Sequence, residues 1–386
     1  MPDVIVIGAG PVGLLIAGEL AHRGVDVTVL ERRPEAGAGT RAVGIHSPVL
    51  AALEVRGVTE RLLAHAVRVT RGEARAAGRT LGVVRFDRLP ARFPFVATLP
   101  QAATEAVLAA DAPAVRRGAR VRAVMPHRDR VGGGVIVRAD ADDGAFELEA
   151  PIVIVATGAG GRGLVFRGSP RAYRDRYLMT DTPPTGSAPT DEDTAVVNLD
   201  RSGVLESFPL PGGARRYVAW DAPGADPDPA AQLARLRRAL QARGEFAAAA
   251  AATEATGFGV QRFVAPQLRR GGLIVIGDAA HEVSPIGGQG MNLGLLDAAA
   301  LAPLVAQWVH TGVEPGEALA AWETHRVRSA RRAAALAAVN TALGRPARAP
   351  ADALRRAAVR IMLAGPSGRG FAHAYAMGLD ASALRR

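Results

Sequence analysis

The hexapeptide Gly8-Ala9-Gly10-Pro11-Val12-Gly13 follows the apolar run Val4–Ile7 and opens a helical pattern that continues to about Arg23. A second β-like run, Val25–Leu30, comes next, and Glu31 follows it, 18 positions after Gly13. Strand, glycine turn, helix, strand and acid in this order make a βαβ unit carrying a dinucleotide fingerprint. Gly8 allows the tight turn, Gly10 lets the backbone approach a pyrophosphate, and Gly13 brings helix and strand close. Pro11 and Val12 begin a helix whose dipole and free N–H groups hold phosphate. Glu31 is placed to accept hydrogen bonds from ribose hydroxyls. Arg32 either touches the adenine edge or is a solvated charge. The unit predicts a parallel α/β sheet and leaves the identity of the dinucleotide open.

The segments that follow sort by periodicity and turn residues. Arg41–His46 and a helix over Pro48–Arg56 continue the unit, Leu81–Phe86 and Phe93–Thr98 read as strands, and Gln101–Leu108 reads as a helix. Arg120–Met125, Val135–Ala139 and Phe146–Glu149 read as three antiparallel strands, because Gly132-Gly133-Gly134 and Asp142-Asp143-Gly144 punctuate them. Ile152–Ala156 is a continuous apolar run of the kind buried in a parallel sheet. From about Leu164 to Phe263 the texture changes to short β-like runs between Pro- and Asp-rich turns, including Ala195–Leu199 and Arg216–Trp220. Nine of the 17 aromatic residues lie between Phe166 and Phe263, which fits either an aromatic-lined pocket or a small core. Leu273–Ile276 restores the buried-strand pattern. Helices are predicted over Met291–Val309, Ala318–Leu343 and Ala351–Leu363, the Ala247–Ala252 run reads as a surface helix, and the last twenty residues are weakly patterned.

The expected organisation is a Rossmann-like α/β cofactor domain, an inserted and mainly antiparallel β-sheet substrate domain, and C-terminal helices. Its segments are 1–163, with 71–98 contributing to the substrate domain, then 164–264, 265–340 and 341–386. Composition narrows the function. The 386 residues are 48% hydrophobic and 22% charged, as in ordinary folded domains. The formal charge of +10 comes entirely from Arg, with no Lys, so it reads as coding bias and no nucleic-acid partner is expected. Cysteine is absent, which excludes disulfides and thiolate chemistry. The start lacks the pattern of an export signal, and the uncharged run Ala298–Val313 contains Pro303 and falls short of a membrane span. A cytoplasmic location without a membrane span is expected.

A second motif decides the cofactor. Gly277-Asp278-Ala279-Ala280-His281 follows Leu273–Ile276 and leads into Ser284-Pro285-Ile286-Gly287-Gly288-Gln289-Gly290-Met291-Asn292. Here the chain resembles the class A flavoprotein monooxygenases, the family of para-hydroxybenzoate hydroxylase and of many aromatic polyketide hydroxylases. The resemblance covers roughly residues 1 to 340. It implies that Asp278 holds the ribityl chain of FAD and that Pro285, Gly288, Gly290, Met291 and Asn292 belong to the flavin-contact loop and helix start. It also implies a pyrophosphate-side charge for Arg41, a polar cofactor contact for Gln101, and a place for Val124 among the cofactor contacts. His281 and Pro285 border the flavin on this reading, with a structural histidine as the alternative for His281. Independently of the family, consecutive glycines let backbone lie against a flat ring. A helix N-terminus there stabilises negative charge on its pyrimidine edge.

The resemblance implies that NAD(P)H reduces FAD and that the reduced flavin captures O2 as a C4a-hydroperoxide. The distal oxygen then passes to an electron-rich phenolic or polyketide-type substrate. No residue declares itself the base. His46 and Pro285 are the candidates for the catalytic centre, and a structural role is the alternative for His46. Epoxidation, Baeyer–Villiger oxidation, dehydrogenation and non-catalytic flavin binding remain as other readings. The chain departs from the family pattern at Thr157, where an acid is usual, and at Gly161, where a Ser is usual, which bears on nicotinamide use. No room is expected for the thioredoxin-like C-terminal domain of longer relatives.

Overall fold

The computed structural model describes residues 1–37, 43–126, 134–167, 171–185, 192–284, 287–377 and 380. Its first sheet has six strands, in the order Arg269–Arg270, Leu273–Val275, Ile152–Val155, Val4–Ile7, Val27–Leu30 and Val115–Arg116. Only the Arg269–Arg270 edge is antiparallel. The two central strands, Val4–Ile7 and Ile152–Val155, are buried at every residue, which is why they read as unbroken apolar runs rather than alternating ones. Helix Pro11–His22 packs on Gln101–Ala109 and on Gln289–Thr311. Contact between loop, strand and helix is close at two glycines. A Cβ on Gly8, whose φ is +107°, would lie 2.5 Å from the Ala156 carbonyl oxygen, and one on Gly13 would lie 1.8 Å from the Gly8 carbonyl oxygen.

Ahead of Ile152 the chain makes the expected antiparallel trio, Arg120–Pro126, Val135–Ala141 and Gly144–Ala150. The larger sheet has eight strands. Their order is His281–Glu282, Thr256–Val264, Arg171–Thr182, Arg215–Asp221, Gly203–Pro209, Thr194–Asp200, Arg71–Ala76 and Arg79–Arg85. Every pairing is antiparallel except Thr194–Asp200 with Arg71–Ala76. The fold class is the one the patterns imply: a Rossmann-like α/β unit, an inserted and mainly antiparallel sheet, and C-terminal helices.

The larger sheet has two different faces. Leu178, Leu205, Tyr217 and Ala219 pack beneath helices Pro229–Gln241 and Phe246–Ala251. The first of these helices was not legible in the sequence. It starts on Asp228, whose carboxylate accepts the Ala231 N–H, and anchors through Leu236 and Leu240. The alanine run is not a purely surface helix either, since Ala248 and Ala249 are buried against the sheet. Neighbouring residues on the same strands turn the other way, toward the parallel sheet.

Three further expectations are corrected. Only Val96–Thr98 of the predicted Phe93–Thr98 strand pairs. Helix Gln289–Thr311 is longer than its pattern suggested and is apolar enough to cross a membrane by length and composition, with mean hydropathy 1.3. However, 56% of that window is buried inside the protein, where it packs on Pro11–His22 and Gly316–Leu343. The stretch expected to be weakly patterned contains helix Gly365–Tyr375, which lies with Ala349–Leu363 over strand Arg79–Arg85.

Candidate functional site

A cavity of about 1140 Å³ separates the parallel sheet from the inner face of the larger one. Gly8, Gly10 and Glu31 line it together with Asp278 and Met291, so the two distant motifs open on the same space.

At the fingerprint, Gly10 caps helix Pro11–His22 through its backbone alone: no side chain caps the helix and no acid stands in its first turn. A Cβ on Gly10 would meet nothing within 4 Å. Uncapped N–H groups therefore point into open space, the local condition for binding an anion. Pro11 and Val12 also line the cavity, whereas Gly13 sits beneath the loop. Glu31 is buried and already bonded. One oxygen accepts the Ala9 N–H at 2.7 Å, and the other accepts the Arg33 N–H at 2.9 Å and its Nε at 3.1 Å. Burial pushes this carboxyl up, but those bonds and the Arg33 charge outweigh it and hold the group below its ordinary range. Glu31 is thus an ionised brace for the glycine turn, with one lone-pair site spare. Arg33, which the sequence reading passed over, also reaches the Ala9 carbonyl at 3.3 Å and approaches Glu105 at 3.8 Å. Arg32 is exposed on the cavity rim, and Gln101 lines the cavity while its Nε2 donates to Glu105 at 2.9 Å.

In the middle, Asp278 lies exposed on the turn Gly277–Ala279, and a Cβ on Gly290 would lie 3.7 Å from its Oδ1. Helix Gln289–Thr311 begins there behind Gly288, again with no side-chain cap and no acid in its first turn. Gly288, Gly290 and Met291 line the cavity. Asn292 does not. Its Oδ1 accepts the His46 N–H at 2.8 Å, and its Nδ2 donates to the carbonyls of Gly44 and Gly288 at 2.8 and 2.9 Å. Asn292 is fully occupied in clamping the His46 strand end to the glycine turn.

His281 is likewise displaced from the flavin-bordering position. It is buried with Nε2 2.5 Å from Asp297, whose other oxygen accepts Arg326 Nε at 2.7 Å. Arg326 in turn reaches Asp380 at 2.8 Å. Burial pushes the His281 imidazole down, yet the Asp297 charge reverses the sign and leaves it raised. His281 is therefore the structural histidine of the alternative reading. Val124 pairs with Val137 inside the three-stranded sheet, while Val121 and Arg122 from the same strand face the cavity. Arg41 and Pro285 lie outside the described residues.

Buried His46 lines the cavity beside Gly288, and its ring stands edge-on to Tyr375 at 6.2 Å between centroids. Desolvation lowers its pKa to about 4 against the opposing backbone bonds at Gly287 and Gly288. It is a neutral imidazole near pH 7. Thr157 and Gly161 are coupled: a Cβ at 161 would fall 2.1 Å from Thr157 Oγ1 and 2.3 Å from its Cβ. The threonine side chain occupies the place a serine at 161 would need. Arg162, which no motif marks as a contact, is buried. It donates to the Asp278 carbonyl at 2.9 Å and to Glu282 at 2.7 Å, with its guanidinium 4.3 Å from the Phe263 ring.

The remaining wall is apolar. Met179, Val204, Phe208, Val218 and Phe258 line it from the larger sheet, and Leu363, Phe371 and Tyr375 close it from the C-terminal helices. Two of the nine aromatics of the inserted region, Phe208 and Phe258, reach the cavity, whereas Tyr177 and Tyr217 fill cores. The polar exceptions include Glu206 and Arg216. Both Arg216 Nε and one terminal nitrogen bind Asp181 at 2.6 Å.

This chain is 30% identical over 350 residues to 12-dehydrotetracycline 5-monooxygenase/anhydrotetracycline 6-monooxygenase of Streptomyces rimosus, covering 84% of this chain and 66% of that protein. It is 33% identical to rifampicin monooxygenase of Streptomyces venezuelae, covering 77% and 62%. The chain thus spans less than two thirds of the length of these curated relatives. Among solved structures, p-nitrophenol 4-monooxygenase of Pseudomonas putida superposes with a TM-score of 0.84 over 100% of this chain and 99% of that one, at 23% identity, which shows a shared fold. The profile of the family described as FAD binding domain matches residues 1–337, and the chain belongs to that family.

Proposed function

We propose that this protein is an FAD-dependent monooxygenase that hydroxylates a small aromatic substrate of phenolic or polyketide type, using NAD(P)H and O2. The observation that carries the reading is the pair of uncapped helix N-termini, at Gly10 and Gly288, opening on one cavity whose far wall is apolar. The names of the tetracycline and rifampicin relatives support the substrate class. When bound, FAD supplies the redox chemistry, taking electrons from NAD(P)H and activating O2.

The chain's own residues supply position, field and dryness. The Gly8–Gly13 turn receives the pyrophosphate on free N–H groups, braced from below by Glu31, which offers its spare lone pair to the ribose. Asp278 takes the ribityl hydroxyls, and Gly288–Met291 offer backbone N–H groups to the pyrimidine edge of the flavin. The positive end of helix Gln289–Thr311 then stabilises negative charge there. Arg162 holds the Asp278 turn in place from behind. Helices Ala349–Leu363 and Gly365–Tyr375 exclude water from the apolar side. Neutral His46 has, among the described residues, no hydrogen-bond partner at Nδ1, which leaves that nitrogen open to a ligand beside the glycine turn.

The test is reconstitution followed by turnover. Purified protein is expected to take up one FAD, to oxidise NAD(P)H faster when a phenol is added, and to place one atom of labelled O2 in the product. A folded sample that takes up no FAD overturns the reading. A product without label assigns dehydrogenation instead.

A further inference from the structure

Strand Gly203–Pro209 turns Val204, Glu206 and Phe208 to the cavity while Leu205 packs on the opposite side among the helices. Glu206 is thus an acid in an otherwise apolar row. It is 4% exposed, and among the described residues it makes no hydrogen bond and no ion pair. Its cross-strand neighbours are Val218 and Val197. Arg216, its diagonal neighbour on the same face, binds Asp181 through Nε and Nη2, while its buried Nη1 has no hydrogen-bond partner among the described residues. The other cavity-lining cations, Arg32, Arg33, Arg120 and Arg122, belong to the fingerprint end. Tyr375 faces the same space, and burial together with the Glu206 charge pushes its phenol above the ordinary range, so it stays a neutral donor.

Buried polar groups are ordinarily paired, and an unpaired one beside a cavity marks where a ligand supplies the partner. A carboxyl fits a ring hydroxyl, which can both donate to it and accept from it. A bare hydrocarbon ring in the same place would leave the buried carboxyl without a partner. We propose that Glu206 is a specificity-determining residue that anchors aromatic ligands through a ring hydroxyl and disfavours ligands that lack one. The inference rests on the monooxygenase reading and deepens it by naming the substrate class.

The test uses the FAD-reconstituted protein and two probes, 2-naphthol and naphthalene, with dissociation constants read from perturbation of the flavin absorbance. Wild type is expected to bind 2-naphthol about tenfold or more tighter than naphthalene. Glu206→Leu is expected to erase that preference while leaving naphthalene unchanged. Glu206→Gln, which keeps a donor and an acceptor, is expected to retain 2-naphthol within a few-fold. Wild type that fails to favour 2-naphthol, a Glu206→Leu protein that keeps the wild-type ratio, or a Glu206→Gln protein that loses the preference overturns the proposal. Failure to take up FAD falls instead on the monooxygenase reading, so the two failures are distinguishable.

Discussion

The two ends of the cavity are built from different materials. At the fingerprint end the working groups are backbone N–H donors held by glycine contacts and braced by a bonded carboxylate. At the sheet end they are side chains, contributed by distant strands and by two helices near the C-terminus. A backbone site tolerates little change because its geometry is the fold itself. A side-chain site can change residue by residue while the sheet persists.

That contrast can be broken in several ways, beginning with the largest expected effect. Asp297→Ala leaves Arg326 and His281 buried without their shared partner and should cost about 3–5 kcal/mol in denaturant unfolding. A loss under 1 kcal/mol would mean that Asp380 alone suffices to compensate the buried Arg326. Gly13→Ala forces a Cβ onto the Gly8 carbonyl and should cost about 2–3 kcal/mol together with FAD uptake. Normal uptake would show that the turn yields more readily than the contact implies.

At the other end, the effect depends on pH. Burial raises the Glu206 carboxyl from 4.5 to about 8. Between those values the unfolded chain has released its proton and the folded chain has not, so stability should fall as pH rises through this window and be level on either side. Unfolding from pH 5 to 9 should therefore show Glu206→Gln gaining roughly 2–4 kcal/mol on wild type toward the alkaline end. Parallel curves would place the carboxyl in water. The smallest effect sharpens the middle of the site. Gly161→Ser should be destabilising with Thr157 present and relieved by Thr157→Ala, with a coupling of about 0.5–2 kcal/mol in a double-mutant cycle. Additive changes would separate the two positions.

The same contrast explains what the sequence disclosed. Gly8–Gly13, Glu31 and Asp278 were legible because a backbone site is written in consecutive residues at strand ends. Asn292 and His281 belong to the same motifs yet turn inward, since a polar side chain at a motif position can equally well satisfy buried backbone or a buried acid. Glu206 was not legible. Both faces of its strand are buried, so no alternation marks which residues meet the cavity, and only the cross-strand register puts Val204, Glu206 and Phe208 on one side. Tyr375 and Phe371 escaped because their helix follows a glycine-rich start with little apolar patterning.

The helices spanning residues 349–375 form a roof that belongs to no strand ladder. Met362 and Phe371 therefore stand on a lid outside the sheets, and exchanging them would resize the chamber without shifting any β register, whereas Tyr375 also packs against His46 and the Gly287 turn. Such an arrangement lets the apolar end of the chamber change through residues 349–375 while the two glycine turns keep their backbone.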